Sequence, residues 1–142
     1  MTELKISLEV GECNGYMDVN IYVNNELVSQ PDLTKNNNST VDVDLQVNFP
    51  FDLKIQVSGK NLNTDTQIDD GKIVKDKYIK LKKLYLARYS VHESVLYSTC
   101  SFYPENKSRE QNNYFYCNGV AELKFQEPDA LVWHVKHNKY WS

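Results

Sequence analysis

The chain is poor in the residues that do most enzyme chemistry. Its 142 residues hold three histidines, three cysteines and five glycines. Nucleophilic catalysis needs a nucleophile, a base and an oxyanion site, and no G-x-S-x-G elbow occurs. The glycines, at positions 11, 15, 59, 71 and 119, form neither a G-x-G-x-x-G nor a Walker loop, so phosphate cradling by backbone amides is excluded. Cys13, Cys100 and Cys117 are an odd set without C-x-x-C or Cys-His spacing. That excludes a disulfide framework and a zinc site, and leaves one bridge, Cys100 to Cys117, against three buried free thiols in a reducing compartment.

Charge of one sign is also scarce. The formal net charge is −3, and Arg88 and Arg109 are the only arginines among sixteen basic residues. A phosphate-backbone binder needs the opposite sign and more bidentate donors, so no nucleic-acid partner is expected. No stretch approaches the roughly 20 apolar residues of a membrane helix. Met1–Lys5 runs straight into alternating residues, so neither a signal peptide nor a membrane partner is expected.

What the chain does have is period two. Leu4, Ile6, Leu8 and Val10 alternate with polar residues. So do Met17, Val19, Ile21 and Val23, then Val41, Val43, Leu45 and Val47, then Phe51, Leu53, Ile55 and Val57. Such alternation marks half-buried strands of antiparallel sheets. Asn14-Gly15, Asn24-Asn25 and Asp70-Gly71 supply hairpin turns. Between Tyr78 and Leu86 the phase slips, which places a β-bulge at Lys82-Lys83. Val95–Tyr103 and Tyr114–Phe125 read as further strands, the second broken at Asn118-Gly119, with residues 104–113 as a polar loop. Pro128-Asp129 opens a short C-terminal helix or turn, while Leu131, Trp133 and Val135 also fit a strand. No long helical pattern follows any strand. The expected fold is all-β: one antiparallel β-sandwich or jelly roll of about eight strands spanning 1–142.

Three groups of residues are candidates for chemistry. Asp42 and Asp44 share the polar face of one strand, which reads either as a solvated face or as part of a glycosidase pair. His134 and His137 share a face only on a helix, as solvated side chains or as metal ligands. The segment from Asn61 to Asp76 is rich in oxygen ligands. It reads as Asx turns closing a hairpin, or as a calcium loop using Asp65, Asp69, Asp70 and Asp76. EF-hand spacing is absent. Ten tyrosines add a fourth surface. Tyr22, Tyr85 and Tyr89, with Tyr97, Tyr114 and Tyr116, are expected on outward sheet positions, where aromatic faces stack on sugar rings or mark protein interfaces.

Residues Tyr22-Val23-Asn24-Asn25-Glu26-Leu27-Val28 resemble a hairpin common in small carbohydrate-binding-like β-sandwiches, with Asn25 where glycine is usual. Asp65–Lys77 resembles a block of the accessory virion proteins of tailed phages. Asn118–Phe125 followed by Pro128 and Trp133 is similar to that group's closing segment. The resemblance implies a carbohydrate-binding-module or jelly-roll fold and a non-enzymatic virion component, made in the host cytoplasm. Such a component acts through contacts with other virion proteins or with itself. The alternative is a calcium-assisted carbohydrate-binding module that recognises a surface glycan. A small hydrolase is the third reading.

Overall fold

In the computed structural model, residues 1–137 are described. Alternation becomes two packed sheets and a projecting hairpin. The chain runs β1 (Thr2–Gly11), β2 (Asp18–Val23), β3 (Glu26–Ser29), β4 (Thr40–Val47), β5 (Phe51–Ser58), β6 (Thr66–Asp69), β7 (Lys72–Asp76), β8 (Tyr78–Leu86) and β9 (Tyr89–Val91). Helix α1 (Glu93–Thr99) precedes β10 (Ser101–Pro104), β11 (Glu110–Gln111), β12 (Tyr114–Phe115) and β13 (Gly119–Phe125), and α2 is Ala130–His137. The five-stranded sheet has the order β12-β8-β1-β4, with β9 also paired to β8. The six-stranded sheet has the order β11-β10-β13-β5-β2-β3. All pairings are antiparallel. This is the expected all-β sandwich, with several two- to four-residue strands beyond the eight or so that the periodicity marks.

The alternating residues are the core. Leu4, Ile6, Leu8 and Val10 face Val19, Ile21, Leu53, Ile55 and Val57, and all are almost fully buried. Each such side chain contributes about 1.5–3 kcal/mol by leaving water. At one end Phe49, Phe51, Phe125 and Trp133 close the core, with Phe51 stacked on Phe125 at 4.6 Å and Phe125 against Trp133 at 4.8 Å. Trp133 sits on α2, and its indole N–H donates to the Lys124 carbonyl. The helix reading of that segment is therefore the correct one. Trp133 is buried, whereas Leu131 and Val135, which a strand would align with it, are exposed. Asp129 caps the helix by accepting from the Val132 N–H.

Two expectations need correction. Asn14 and Gly15 do adopt positive φ, but the strands they join lie in different sheets, so the turn is a crossover and not a hairpin. Turn chemistry is local and does not specify which sheet receives the next strand. Val95–Tyr103 is not a strand throughout: α1 occupies its first half, and only Ser101–Pro104 is extended. His92 caps α1 by accepting from the Ser94 N–H, and Val95 and Leu96 are its buried contacts. The bulge stands where the phase slip puts it. Ser7 pairs with Lys83 and Leu8 with Leu81, leaving Lys82 as the extra residue.

Candidate functional site

The outer face of the six-stranded sheet carries a continuous polar and aromatic surface. Register decides which side chains meet there, because directly paired residues share a face. Asn20 pairs with Gln56, Gln56 with Val120, and Val120 with Tyr103. In the next row Leu27, Tyr22, Lys54, Glu122 and Ser101 follow one another across five strands. Tyr22 and Tyr103 are thus three strand spacings apart across the sheet and one row apart along it, about 16 Å, with Gln56, Val120 and Lys54 as the floor between them.

Hydrogen bonds fix this surface. Gln56 Oε1 accepts from the Asn20 amide (3.3 Å) and from the Tyr22 hydroxyl (3.3 Å). Asn20 Oδ1 accepts from the Gln30 amide at 3.0 Å. Lys54 Nζ donates to Asn25 Oδ1 at 2.8 Å. Asn24 and Asn25 hold positive φ (51° and 66°) in the tight turn between β2 and β3, which brings Asn25 over Lys54. A pocket of about 260 Å³ lies over Tyr22, Asn25, Lys54, Gln56 and Val120. A cleft of about 820 Å³ lies beyond it, lined by Asn20 and Gln30 together with Tyr16, Asp18 and Asp32. The amide chain Gln30–Asn20–Gln56 joins the two. A carboxamide offers both an acceptor and two donors, as vicinal sugar hydroxyls do, so the surface is suited to a neutral polyol.

The three tyrosines expected to bind ligand do not form one platform. Tyr22 belongs to the surface just described. Tyr85 lies on the outer face of the other sheet, opposite Lys5. Tyr89 is stacked on His134 at 4.8 Å and covered by the Arg88 guanidinium at 5.6 Å. Tyr114 is half-buried, stacked on Tyr78, with its hydroxyl donating to Asp76. Burial and the Asp76 charge push the Tyr114 hydroxyl up to about 12. Tyr116 donates to Glu110, and Tyr97 is exposed on α1.

The four aspartates of the hairpin segment also separate. Asp69 and Asp70 are exposed around the β6–β7 turn. Asp65 is buried and paired with Lys77 at 2.9 Å. It accepts from the Asn61 N–H, which together with Lys77 holds its carboxyl well below the usual carboxylate range. Asp76 is paired with Lys60 at 2.7 Å and accepts from Thr66 and Tyr114. Among the described residues no group of three or more His, Cys, Asp and Glu is disposed to hold a metal ion. His134 stacks on Tyr89, and His137 stacks on Trp133 at 4.2 Å. Asp42 accepts from Ser7, and Asp44 lies opposite Lys5. Cys13, Cys100 and Cys117 are buried free thiols. No helix among the described residues is long and apolar enough to cross a membrane.

Asn20, Gln30, Gln56 and Tyr103 are absent from the sequence-based candidates. Alternation marks Asn20 and Gln56 only as outward-facing, and Gln30 follows β3 outside any alternating run. What brings Asn20, Gln56 and Tyr103 onto one surface is the register across four strands, and Gln30 joins them by its hydrogen bond to Asn20; no local pattern carries either.

No protein-family model and no curated protein sequence matches the chain. Among solved structures it is similar to vCBM60, a carbohydrate-binding module, in a structure described as a complex with galactobiose. The match covers 86% of this chain and 97% of that one, with a TM-score of 0.54 and 10% sequence identity. The likeness shows that this chain folds as a β-sandwich of the carbohydrate-binding-module kind.

Proposed function

We propose that the chain is a non-catalytic saccharide-binding module whose ligand lies across the outer face of the six-stranded sheet. The observation that carries the reading is the amide chain Gln30–Asn20–Gln56, held in register and flanked by Tyr22. Fixed carboxamides hydrogen-bond hydroxyls at little ordering cost, and a tyrosine ring stacks on the apolar C–H face of a sugar. The structural likeness to a module described in complex with galactobiose supports this reading over the virion-decoration role that the sequence resemblance implies.

Calcium assistance draws on Asp65, Asp69, Asp70 and Asp76. At Asp65 and Asp76 a cation has to displace Lys77 and Lys60, so the reading rests on the amide surface and not on a metal. The test is calorimetric titration with neutral oligosaccharides, galactobiose included, against the wild-type chain and Gln56→Ala. Saturable binding that the substitution weakens supports the proposal. Binding that ignores the substitution overturns it.

A further inference from the structure

The opposite face of the sandwich carries a second groove of different chemistry. It encloses about 500 Å³ over β1 and β8, and its walls include Lys5, Ser7, Asp42, Lys82, Lys83 and Tyr85. In a regular strand Lys82 and Lys83 would point to opposite faces. The bulge opposite Ser7 changes that. Leu81 and Leu84 are both fully buried, and the two lysines between them are both exposed on the groove side. A backbone irregularity therefore sets two adjacent cations side by side, with Lys5 across from Tyr85 on the neighbouring strand. Bulges of this kind commonly re-aim side chains beside binding sites.

Lys82 and Lys83 make no ion pair within the described residues. Lys5 makes none either, but Asp44 lies opposite it on β4, so the adjacent pair on β8 supplies the groove's unshared positive charge. Asp42, on the far wall, is already engaged by the Ser7 hydroxyl at 2.6 Å. Glu3 also lines that side. The groove thus carries Lys82 and Lys83 along β8, Glu3 and Lys5 along β1 and Asp42 on β4, and is floored by the half-buried Tyr85. A bare inorganic anion would meet the carboxylates as well as the lysines. A sugar acid fits both walls: its anionic group faces the lysines, its hydroxyls donate to Asp42 and Glu3, and its ring lies on Tyr85.

We infer that this groove is a second saccharide site, selective for an acidic sugar such as a uronic acid. It is on the opposite sheet from the amide surface, so it stands or falls independently of the neutral-ligand reading. The experiment is calorimetric titration of the whole chain with an oligogalacturonate, beside the matching neutral galacto-oligosaccharide and inorganic phosphate. It is done on wild type, on Lys82→Ala/Lys83→Ala and on Tyr85→Ala. The expected result is oligogalacturonate binding that weakens between about 50 and about 300 mM salt. The double substitution should weaken it at least about tenfold, as loss of charge-assisted hydrogen bonds does. Tyr85→Ala should weaken it as well, with neutral-sugar binding unchanged in both variants. The lysines are exposed, so an unchanged melting temperature will certify the fold. Three results overturn the inference: no oligogalacturonate binding, binding that survives the double substitution, or phosphate binding as strong as oligogalacturonate binding and indifferent to Tyr85→Ala.

Discussion

Lys60→Met should unfold the anchor of the projecting hairpin and destabilise the whole domain. The Lys60 side chain is 3% exposed and its partner Asp76 13%. Lys60 Nζ donates to Asp76 Oδ1 at 2.7 Å and to the Tyr116 carbonyl at 2.6 Å, tying the end of β7 to the segment before β13. Methionine keeps the length and the apolar stem but leaves Asp76 charged and the Tyr116 carbonyl without that donor. Removing one partner of a buried ion pair costs about 3–5 kcal/mol. Asp76 retains the Thr66 and Tyr114 hydroxyls, which places the expected loss near the lower end, about 3 kcal/mol. For a chain of this size that is about 10 °C in melting temperature. Urea denaturation followed by circular dichroism reads it directly, with an unchanged slope and a lower midpoint. Adding Asp76→Asn removes the stranded charge. The double variant should therefore be more stable than the sum of the singles predicts, by at least about 1.5 kcal/mol. A loss under about 1 kcal/mol for Lys60→Met, or strict additivity in the cycle, would refute the claim that this pair is buried and structural.

Trp133→Ala should cost about 3–5 kcal/mol, because it empties the aromatic end of the core and strips α2 of its one large buried contact; calorimetric melting will show it, and a shift of only a few degrees would mean α2 is not integral to the core. Burial pushes the Cys100 thiol up to about 12, so native protein should leave it unreacted with a thiol reagent at neutral pH while denatured protein reacts fully; rapid native labelling at Cys100, read by mass spectrometry, contradicts its burial. Millimolar calcium should leave the melting temperature unchanged, since Asp65 and Asp76 are neutralised by lysines; a clear upward shift would show a cation held by the folded state and revive the calcium loop.

The β-sandwich was legible because each long strand buries every second residue, so Leu4–Val10 and Phe51–Val57 announce their own facing. The bulge at Lys82 was legible for the same reason: a one-residue slip in a period of two is visible in a single strand. Helix α1 was not, because it is short and its buried pair, Val95 and Leu96, continues into Cys100 and Phe102 with strand-like spacing. His92 is not among the usual N-cap residues, so its capping of α1 shows only in the structure. The candidate site was half legible. Tyr22 stood out as an aromatic on a polar face. Asn20, Gln30 and Gln56 did not, since an amide network exists only after Asn20 is set opposite Gln56. The Asp-rich segment misled in the other direction: its composition suggests a cation, and the lysines that neutralise Asp65 and Asp76 follow from tertiary placement.

The central claim is that the Gln30–Asn20–Gln56 surface recognises a saccharide, and the most direct measurement is the calorimetric affinity of Gln56→Ala for the best neutral oligosaccharide of a panel that includes galactobiose. Gln56 is a half-buried outer-face residue whose loss spares the core. The account predicts wild-type binding that falls at least about tenfold in the variant, with the melting temperature preserved. Absence of binding across the panel, or equal affinity in wild type and variant, would contradict it.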